Sequence, residues 1–359
     1  MKGIVLAGGE GRRLKPLTQN RPKPLLPVAG RPCVDYVLRS LINSGVRELV
    51  VTTAFMSDAL IKSVSEGLAY DASILYSFEA TPAGTAGSVK RVADFIDGTF
   101  VVAMGDVLVD LDVRPLIEFH RRKKSVATIA LTEVEDPTEY GIVGLDKSGR
   151  IQRFKEKPSR EEAFSNLVNA GIYVLEPDVL DLIPDDRPSD FSKDVFPLVL
   201  AKGMPLHGMR IEGVWVDIGR PKDLIRAGLE VIRREGREHH LLGREPFGPA
   251  ILGQGLYLES SVRLAGPLYI GDNVRLGKGS IVEGACLYDN VVVEAGAVVR
   301  ASVVLENCRV GRDAEVVDSV LSEGCTVEEE AHLVGSILGE RTTVKAHSRL
   351  VGASIAPTG

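Results

Sequence analysis

Cysteine is scarce in this chain and badly spaced for a metal or a disulfide framework: Cys33, Cys286, Cys308 and Cys325 are scattered, and no two form a C-x-x-C pair. A structural zinc and a set of disulfide staples are both set aside, and four buried thiols in a reducing compartment are expected. Basic charge is not in excess either. With 43 Lys and Arg against 49 Asp and Glu, the formal net charge is -6, which argues against a general nucleic-acid or anionic-membrane binder. Any phosphate site must therefore be local. No run of about eighteen apolar residues occurs, and no apolar core follows a basic stretch at the amino end, so a protein of the cytoplasm that enters no membrane is expected. A Gly-x-Ser-x-Gly elbow is absent, and with it that signal of a covalent nucleophile. What is present is a chain of 359 residues, 44% hydrophobic and 26% charged, long enough for two cores.

Two periodicities divide it. Through about residue 235, short apolar runs alternate with helical patterns, which predicts an α/β domain with a mostly parallel, Rossmann-like sheet. Strands are expected at Ile4–Ala7, Glu48–Thr52, Ser73–Ser77, Phe100–Met104 and Ala127–Glu133. Helices are expected at Pro32–Ser44, Ser57–Leu68, Gly87–Phe95 and Val113–Lys123, where apolar residues recur three and four apart. Residues 236–249, with Gly236, Gly243, Pro246, Gly248 and Pro249, read as a linker.

From residue 250 to 359 the period becomes six. Leu258, Leu264, Ile270, Leu276 and Val282 fall every six residues, with Val262, Leu268 and Val274 trailing the first three by four. After Cys286 the phase slips by about one residue and runs on through Val293, Val299, Leu305, Val310, Val316, Leu321, Val327, Leu333, Leu338, Val344, Leu350 and Ile355. A repeat of this kind winds a β-helix in which each apolar residue points inward and stacks on its counterpart one coil on. The pattern resembles the left-handed β-helix of hexapeptide-repeat proteins. A prism with flat faces and open ends is suited to self-association, so a homo-oligomer is expected.

The chemistry begins at the amino end. An apolar strand, Met1–Ala7, runs into Gly8-Gly-Glu-Gly-Arg-Arg-Leu14 and then Arg21-Pro-Lys-Pro24. Glycines let backbone N–H groups approach phosphate oxygens, and Arg12, Arg13, Lys15, Arg21 and Lys23 supply neutralising charge. The loop is neither a Walker A nor a Rossmann fingerprint: no Gly-Lys-Ser/Thr follows, and Leu14 stands where a third glycine is needed. The prolines around Lys23 restrict where it points, and a rigidly presented lysine beside a glycine loop implies phosphate recognition.

These motifs resemble the opening of the sugar-1-phosphate nucleotidyltransferases, Leu-Ala-Gly-Gly-x-Gly-Thr-Arg-Leu followed by Pro-Lys-Pro, matched here by residues 6–14 and 22–24 except that Arg12 replaces Thr. The resemblance runs over the whole chain. It implies that Leu6, Ala7, Gly8, Gly9, Gly11, Arg13, Gly84 and Thr85 bind a nucleoside triphosphate, and that Arg13 and Lys23 take part in catalysis. Phe100-Val-Val-Ala-Met-Gly-Asp106 places a carboxylate at the carboxyl edge of the sheet, where α/β proteins bind ligands. Trp215-Val-Asp-Ile-Gly-Arg-Pro221 resembles the family's second metal segment, with Arg220 in place of Thr. Asp106 and Asp217 would then hold Mg²⁺, while Asp110 and Asp112 are expected to be solvated or to cap a helix. Gly141, Glu156 and Asn169 would contact sugar hydroxyls, and Lys157 the sugar's phosphate. Catalysis would be positioning and charge neutralisation, with the sugar phosphate as an already ionised nucleophile.

Glu79 stands where thymidylyltransferases of this fold tend to have Gln. A carboxylate accepts from the two donors on guanine's pairing edge, which favours GTP. Together with Phe191-Ser-Lys-Asp-Val-Phe-Pro197 and the β-helix, the motifs look most like those of mannose-1-phosphate guanylyltransferases, with thymidylyl- and uridylyltransferases as competitors. Two other classes are weighed: an additional acyltransferase using His332 or His347, and a non-catalytic regulatory subunit. Retention of Arg13, Lys23, Asp106, Lys157 and Asp217 favours a catalyst.

Overall fold

The structure is a computed structural model that describes residues 1–67, 70–239 and 247–357. Its contacts gather the chain into two compact units that do not follow linear order: Met1–Gly9 with Cys33–Trp215, and Glu10–Pro32 with Val216–Gly359. The segment bearing Arg13 and Lys23 thus belongs with the carboxyl-terminal half.

In the first unit, β1 (Lys2–Leu6), β2 (Glu48–Thr53), β3 (Ser73–Phe78) and β4 (Phe100–Met104) are parallel, in the order β4-β1-β2-β3. Ile4, Val5, Val101 and Val102 are fully buried, as expected of strands covered on both faces. The sheet continues through β5 (Ala127–Glu133), β6 (Gly141–Leu145), β7 (Ile151–Glu156), β8 (Leu167–Leu175) and β9 (Leu206–Arg210), nine strands among the described residues. β8 runs antiparallel to β4, β5 and β6, so the parallel half lies between β4 and β3. Helices α1 (Cys33–Asn43), α2 (Ser57–Gly67) and α4 (Arg114–Lys123) fall where their patterns predict, and α5 spans Phe196–Ala201; Leu68 lies outside the described residues. The helix predicted over Gly87–Phe95 is displaced. α3 spans Gly84–Lys90, because the carbonyl of Ser189 receives the N–H groups of Ala86 and Gly87 at 3.0 and 3.1 Å, and Ala93–Phe95 is a separate 3₁₀ turn.

In the second unit, α6 (Pro221–Glu235) is followed by Arg237–Glu238, which pairs antiparallel with Pro249–Ala250; residues 240–246, the middle of the expected linker, lie outside the described residues. α6 approaches the β-helix closely: a Cβ on Gly228 would stand 2.8 Å from Cys286 Sγ, so any larger residue there would have to displace that buried thiol. Nineteen short strands among the described residues then form the three faces of a parallel β-helix. Register partners stand 18 residues apart in the first coil, Tyr257 against Arg275, and 17 apart afterwards, Arg275 against Val292 and Val292 against Arg309.

That change is the source of the slip near Cys286. Inward residues step by six, five and six, as in Leu276, Val282, Leu287 and Val293, all fully buried. The cadence also corrects one expectation: Val304, not Leu305, stacks in the core, between Leu287 and Leu321. One corner is turned in the left-handed region by Asn273, Asn290 and Asn307, with φ of 57°, 60° and 61°, which asparagine tolerates better than most residues. Their carboxamides also hydrogen-bond coil to coil at 3.4 and 3.1 Å. All four cysteines are buried free thiols.

Candidate functional site

The parallel half of the first unit presents its strand ends as a row. Ala7 N–H donates to Thr52 O at 3.0 Å, Gly105 N–H to Leu6 O at 2.8 Å and Glu79 N–H to Thr53 O at 2.8 Å. Gly8, Thr53, Glu79 and Asp106 therefore leave the sheet at one carboxyl edge, where ligands bind in open α/β folds. Leu6 and Ala7 are buried, so what they offer is backbone. Gly9 has nothing within 4 Å of where a Cβ would stand. Asp106 is half-buried, directly after Gly105, whose own Cβ would lie 3.1 Å from Leu6 O.

Glu79 is 4% exposed. One carboxylate oxygen accepts from Ala83 N–H at 3.3 Å, while the other is buried with no hydrogen-bond partner among the described residues. Thr53 Oγ1 and Ser189 Oγ are also buried and unpartnered among the described residues. Unmatched buried acceptors and donors are costly, and such a position is suited to a ligand's own polar edge.

Gly84 adopts φ +76°, and its missing Cβ would sit 2.4 Å from Ser189 O. The N–H groups of Ala86 and Gly87 are used within the fold, as noted above, so they do not face a ligand as a free helix start would. Thr85 is likewise occupied: its hydroxyl donates to Asp190 at 3.0 Å and accepts from Phe191 N–H at 3.0 Å.

Asp190 is the residue that sequence reasoning missed. It caps the short π-helix Phe191–Val195, accepting from Ser192 and Lys193 N–H at 2.9 and 3.2 Å. A Ser-Asp pair just before a helical run was the available signal. Ser192 Oγ accepts from Asn169 Nδ2 at 3.0 Å, and Asn169 also donates to Tyr173 Oη and accepts from Gly171 N–H. Thr85, Asp190, Ser192 and Asn169 thereby form one hydrogen-bonded chain.

The predicted sugar-side residues converge. Glu156 pairs with Gly141 across β7 and β6, and a Cβ on Gly141 would be 2.8 Å from Glu156 Oε2. Burial, followed by the charge of Asp190, holds the Glu156 carboxyl above its usual range. Lys157 takes a left-handed φ of 44°, with its N–H donating to Tyr140 O at 2.9 Å. Tyr140 meets Trp215 edge-on at 5.7 Å, and Trp215 Nε1–H donates to Ala170 O at 2.8 Å.

The second unit holds the remaining predicted residues. Gly11, at φ +64°, leaves the chain close to Lys23: a Cβ there would stand 3.0 Å from Lys23 Cβ, and Thr18 Oγ1 donates to Gly11 O at 2.9 Å. Pro22 opens the 3₁₀ turn Lys23–Leu25, and Lys23 is only 7% exposed. Its Nζ lies 3.6 Å from Asp217 Oδ1. Over Gly219, Arg13 Nη2 and Asp217 Oδ2 come within 3.2 and 3.4 Å of the position a Cβ would take. Arg13, Lys23 and Asp217 therefore form one cluster of two cations around a carboxylate.

Arg12 points to solvent and pairs with Glu10 at 2.7 Å. Arg220 stands at the start of α6, its N–H donating to Asp223 at 2.8 Å. Asp112 caps α4 through Arg114 N–H at 2.9 Å, as expected. His332 and His347 are exposed beside Glu315 and Glu330 at 3.0 and 3.2 Å. No group of three or more His, Cys, Asp or Glu positioned for a metal occurs among the described residues. Asp106 and Asp217 are each half-buried carboxylates, hard oxygen donors of the kind Mg²⁺ takes.

A family model described as nucleotidyl transferase matches residues 2–234, and one described as the GMPPB C-terminal domain matches residues 264–358. The chain is 33% identical over 321 residues to a UTP–glucose-1-phosphate uridylyltransferase of Synechocystis, covering 80% of this chain and 83% of that protein. It is 32% identical to a mannose-1-phosphate guanylyltransferase of Mycobacterium tuberculosis, covering 79% of each. It is 38% identical to a mannose-1-phosphate guanyltransferase of Yarrowia lipolytica, over 63% of this chain and 62% of that one. Among solved structures, a protein of Bacillus anthracis described as a glucose-1-phosphate thymidylyltransferase, in complex with sucrose, superposes with a TM-score of 0.58. Its identity is 29%, over 64% of this chain and 94% of that one.

Proposed function

Because the chain belongs to the nucleotidyl transferase family, we propose that it joins GTP to mannose 1-phosphate, forming GDP-mannose and releasing pyrophosphate. The observation that carries the reading is the cluster of Arg13 and Lys23 around Asp217. A phosphate oxygen of the sugar attacks the α-phosphorus, the bond to the β-phosphate's bridging oxygen breaks, and its electrons leave with pyrophosphate. Arg13 and Lys23 offset the charge that grows on the triphosphate oxygens, and their rigid presentation avoids reorganisation at the moment of reaction. Lys157 pairs with the sugar's phosphate, and Gly141, Glu156 and Asn169 orient the sugar ring. Leu6, Ala7, Gly8, Gly9, Gly11, Gly84 and Thr85 shape the nucleotide's seat. Asp106 and Asp217 would hold Mg²⁺, which when bound supplies further neutralisation of the phosphates.

The nucleotide preference rests on Glu79. A buried carboxylate oxygen without a partner matches a base that presents two adjacent donors, as guanine does, better than one presenting a single N–H between acceptors. The second reading is a uridylyltransferase acting on glucose 1-phosphate, favoured by the identity to the Synechocystis protein. Pyrophosphate release from GTP, dTTP, UTP and ATP, each with mannose 1-phosphate and glucose 1-phosphate, separates them. A preference for UTP or dTTP overturns the guanine assignment. Self-association through the β-helix and a cytoplasmic setting complete the proposal.

A further inference from the structure

The β-helix carries an acidic column on the face that meets the Arg13–Lys23 segment. Val304, Leu321 and Leu338 are register partners in successive coils, so Glu306, Glu323 and Glu340, each two residues further on, occupy one equivalent position. Arg21 Nη2 lies 4.0 Å from Glu306 and 3.8 Å from Glu323, and Asn20 Nδ2 donates to Glu340 at 3.0 Å. One oxygen of Glu306 is buried without a hydrogen-bond partner among the described residues, and Arg21 is the cation beside it. Val303, Leu305 and Val320 point away from the core and are nevertheless 2%, 3% and 1% exposed, so this face is covered. Gly30 lies on it too: its missing Cβ would be 2.6 Å from Tyr269 Oη.

Arg21 is followed by Pro22, at φ −64° and ψ 143°, and then by Lys23. A proline gives little freedom between them, so holding Arg21 holds Lys23, and through the contact of Gly11 with Lys23 it holds the turn that carries Arg13. We propose that Glu306 and Glu323 are positioning residues for the transfer reaction: they clamp Arg21 and thereby fix Lys23 and Arg13 for the triphosphate. The β-helix then serves catalysis within its own chain. This rests on the nucleotidyl-transfer reading above.

The test uses the full chain with Arg21→Gln, Glu306→Gln combined with Glu323→Gln, all three together, and Arg21→Lys. Turnover is expected to fall about tenfold in the first two, with KM for the sugar phosphate within about twofold, and the triple variant should be no slower than either. Arg21→Lys should recover most of the rate. Hydrogen exchange of residues 10–32 without substrate should speed up in the Gln variants and stay protected in Glu328→Gln, whose partner is Lys345. Parental turnover in Arg21→Gln, additive losses, or unchanged exchange overturns the clamp. If the parent chain transfers no nucleotide, the functional reading fails, while the exchange arm still decides whether the acidic column holds the segment.

Discussion

Lys23 Nζ stands 3.6 Å from Asp217 Oδ1, with the two side chains 9% and 21% exposed. The separation is longer than a hydrogen bond, so the pair is a charge contact.

If these charges serve the triphosphate, removing either should stop chemistry before it stops folding. Lys23→Ala, Asp217→Asn and Asp106→Asn are each expected to lower turnover on the order of 10²-fold or more, with the thermal midpoint shifted only a few degrees. Pyrophosphate release and calorimetry check this, and full Mg²⁺-dependent turnover in either aspartate variant sinks the assignment.

Glu79→Gln replaces an acceptor-only group with one that also donates, at nearly constant volume. The ratio of kcat/KM for GTP over UTP should drop roughly tenfold to a hundredfold. An unchanged ratio removes Glu79 from base selection.

Burial, then the charge of Asp190, raises the Glu156 carboxyl above its ordinary 4.5. The folded chain thus binds that proton more tightly than the unfolded one. The contribution to stability is complete below about 4.5 and is lost as pH rises through the raised value. At pH 7 the ionised side chain opposes folding, so Glu156→Gln should raise the unfolding midpoint there, by an amount that shrinks toward pH 4, and should weaken sugar-phosphate binding. A lowered midpoint at pH 7 contradicts this.

Ser319 lies inside the β-helix, fully buried; its hydroxyl donates to Val317 O at 2.7 Å and accepts from Ser336 N–H at 3.0 Å. Ser319→Ala leaves that N–H unsatisfied and should cost about 1–3 kcal/mol, read by denaturant unfolding. A change under about 0.5 kcal/mol would show that the coil relaxes around the loss.

Much of the fold was legible because it is written in local pattern. The apolar run Ile4–Ala7 ends in glycine where the strand leaves the sheet, and inward stacking in the β-helix follows spacing along the chain. The misassigned Leu305 shows the limit: two adjacent apolar residues satisfy the period equally, and only coil length chooses Val304. Thr85 shows another, since its motif points to a nucleotide while its hydroxyl is held by Asp190, far along the chain.

By itself the sequence determined the two architectures, the strand ends that carry Gly8, Glu79 and Asp106, and the identity of the charged groups, because each depends on residue type and spacing over a few positions. Tertiary structure alone decided that residues 10–32 join the carboxyl-terminal half, that Lys23 meets Asp217, and that a column of glutamates reaches Arg21. Those pairings join segments separated by most of the chain, and no local propensity records which distant partner will cover a given face.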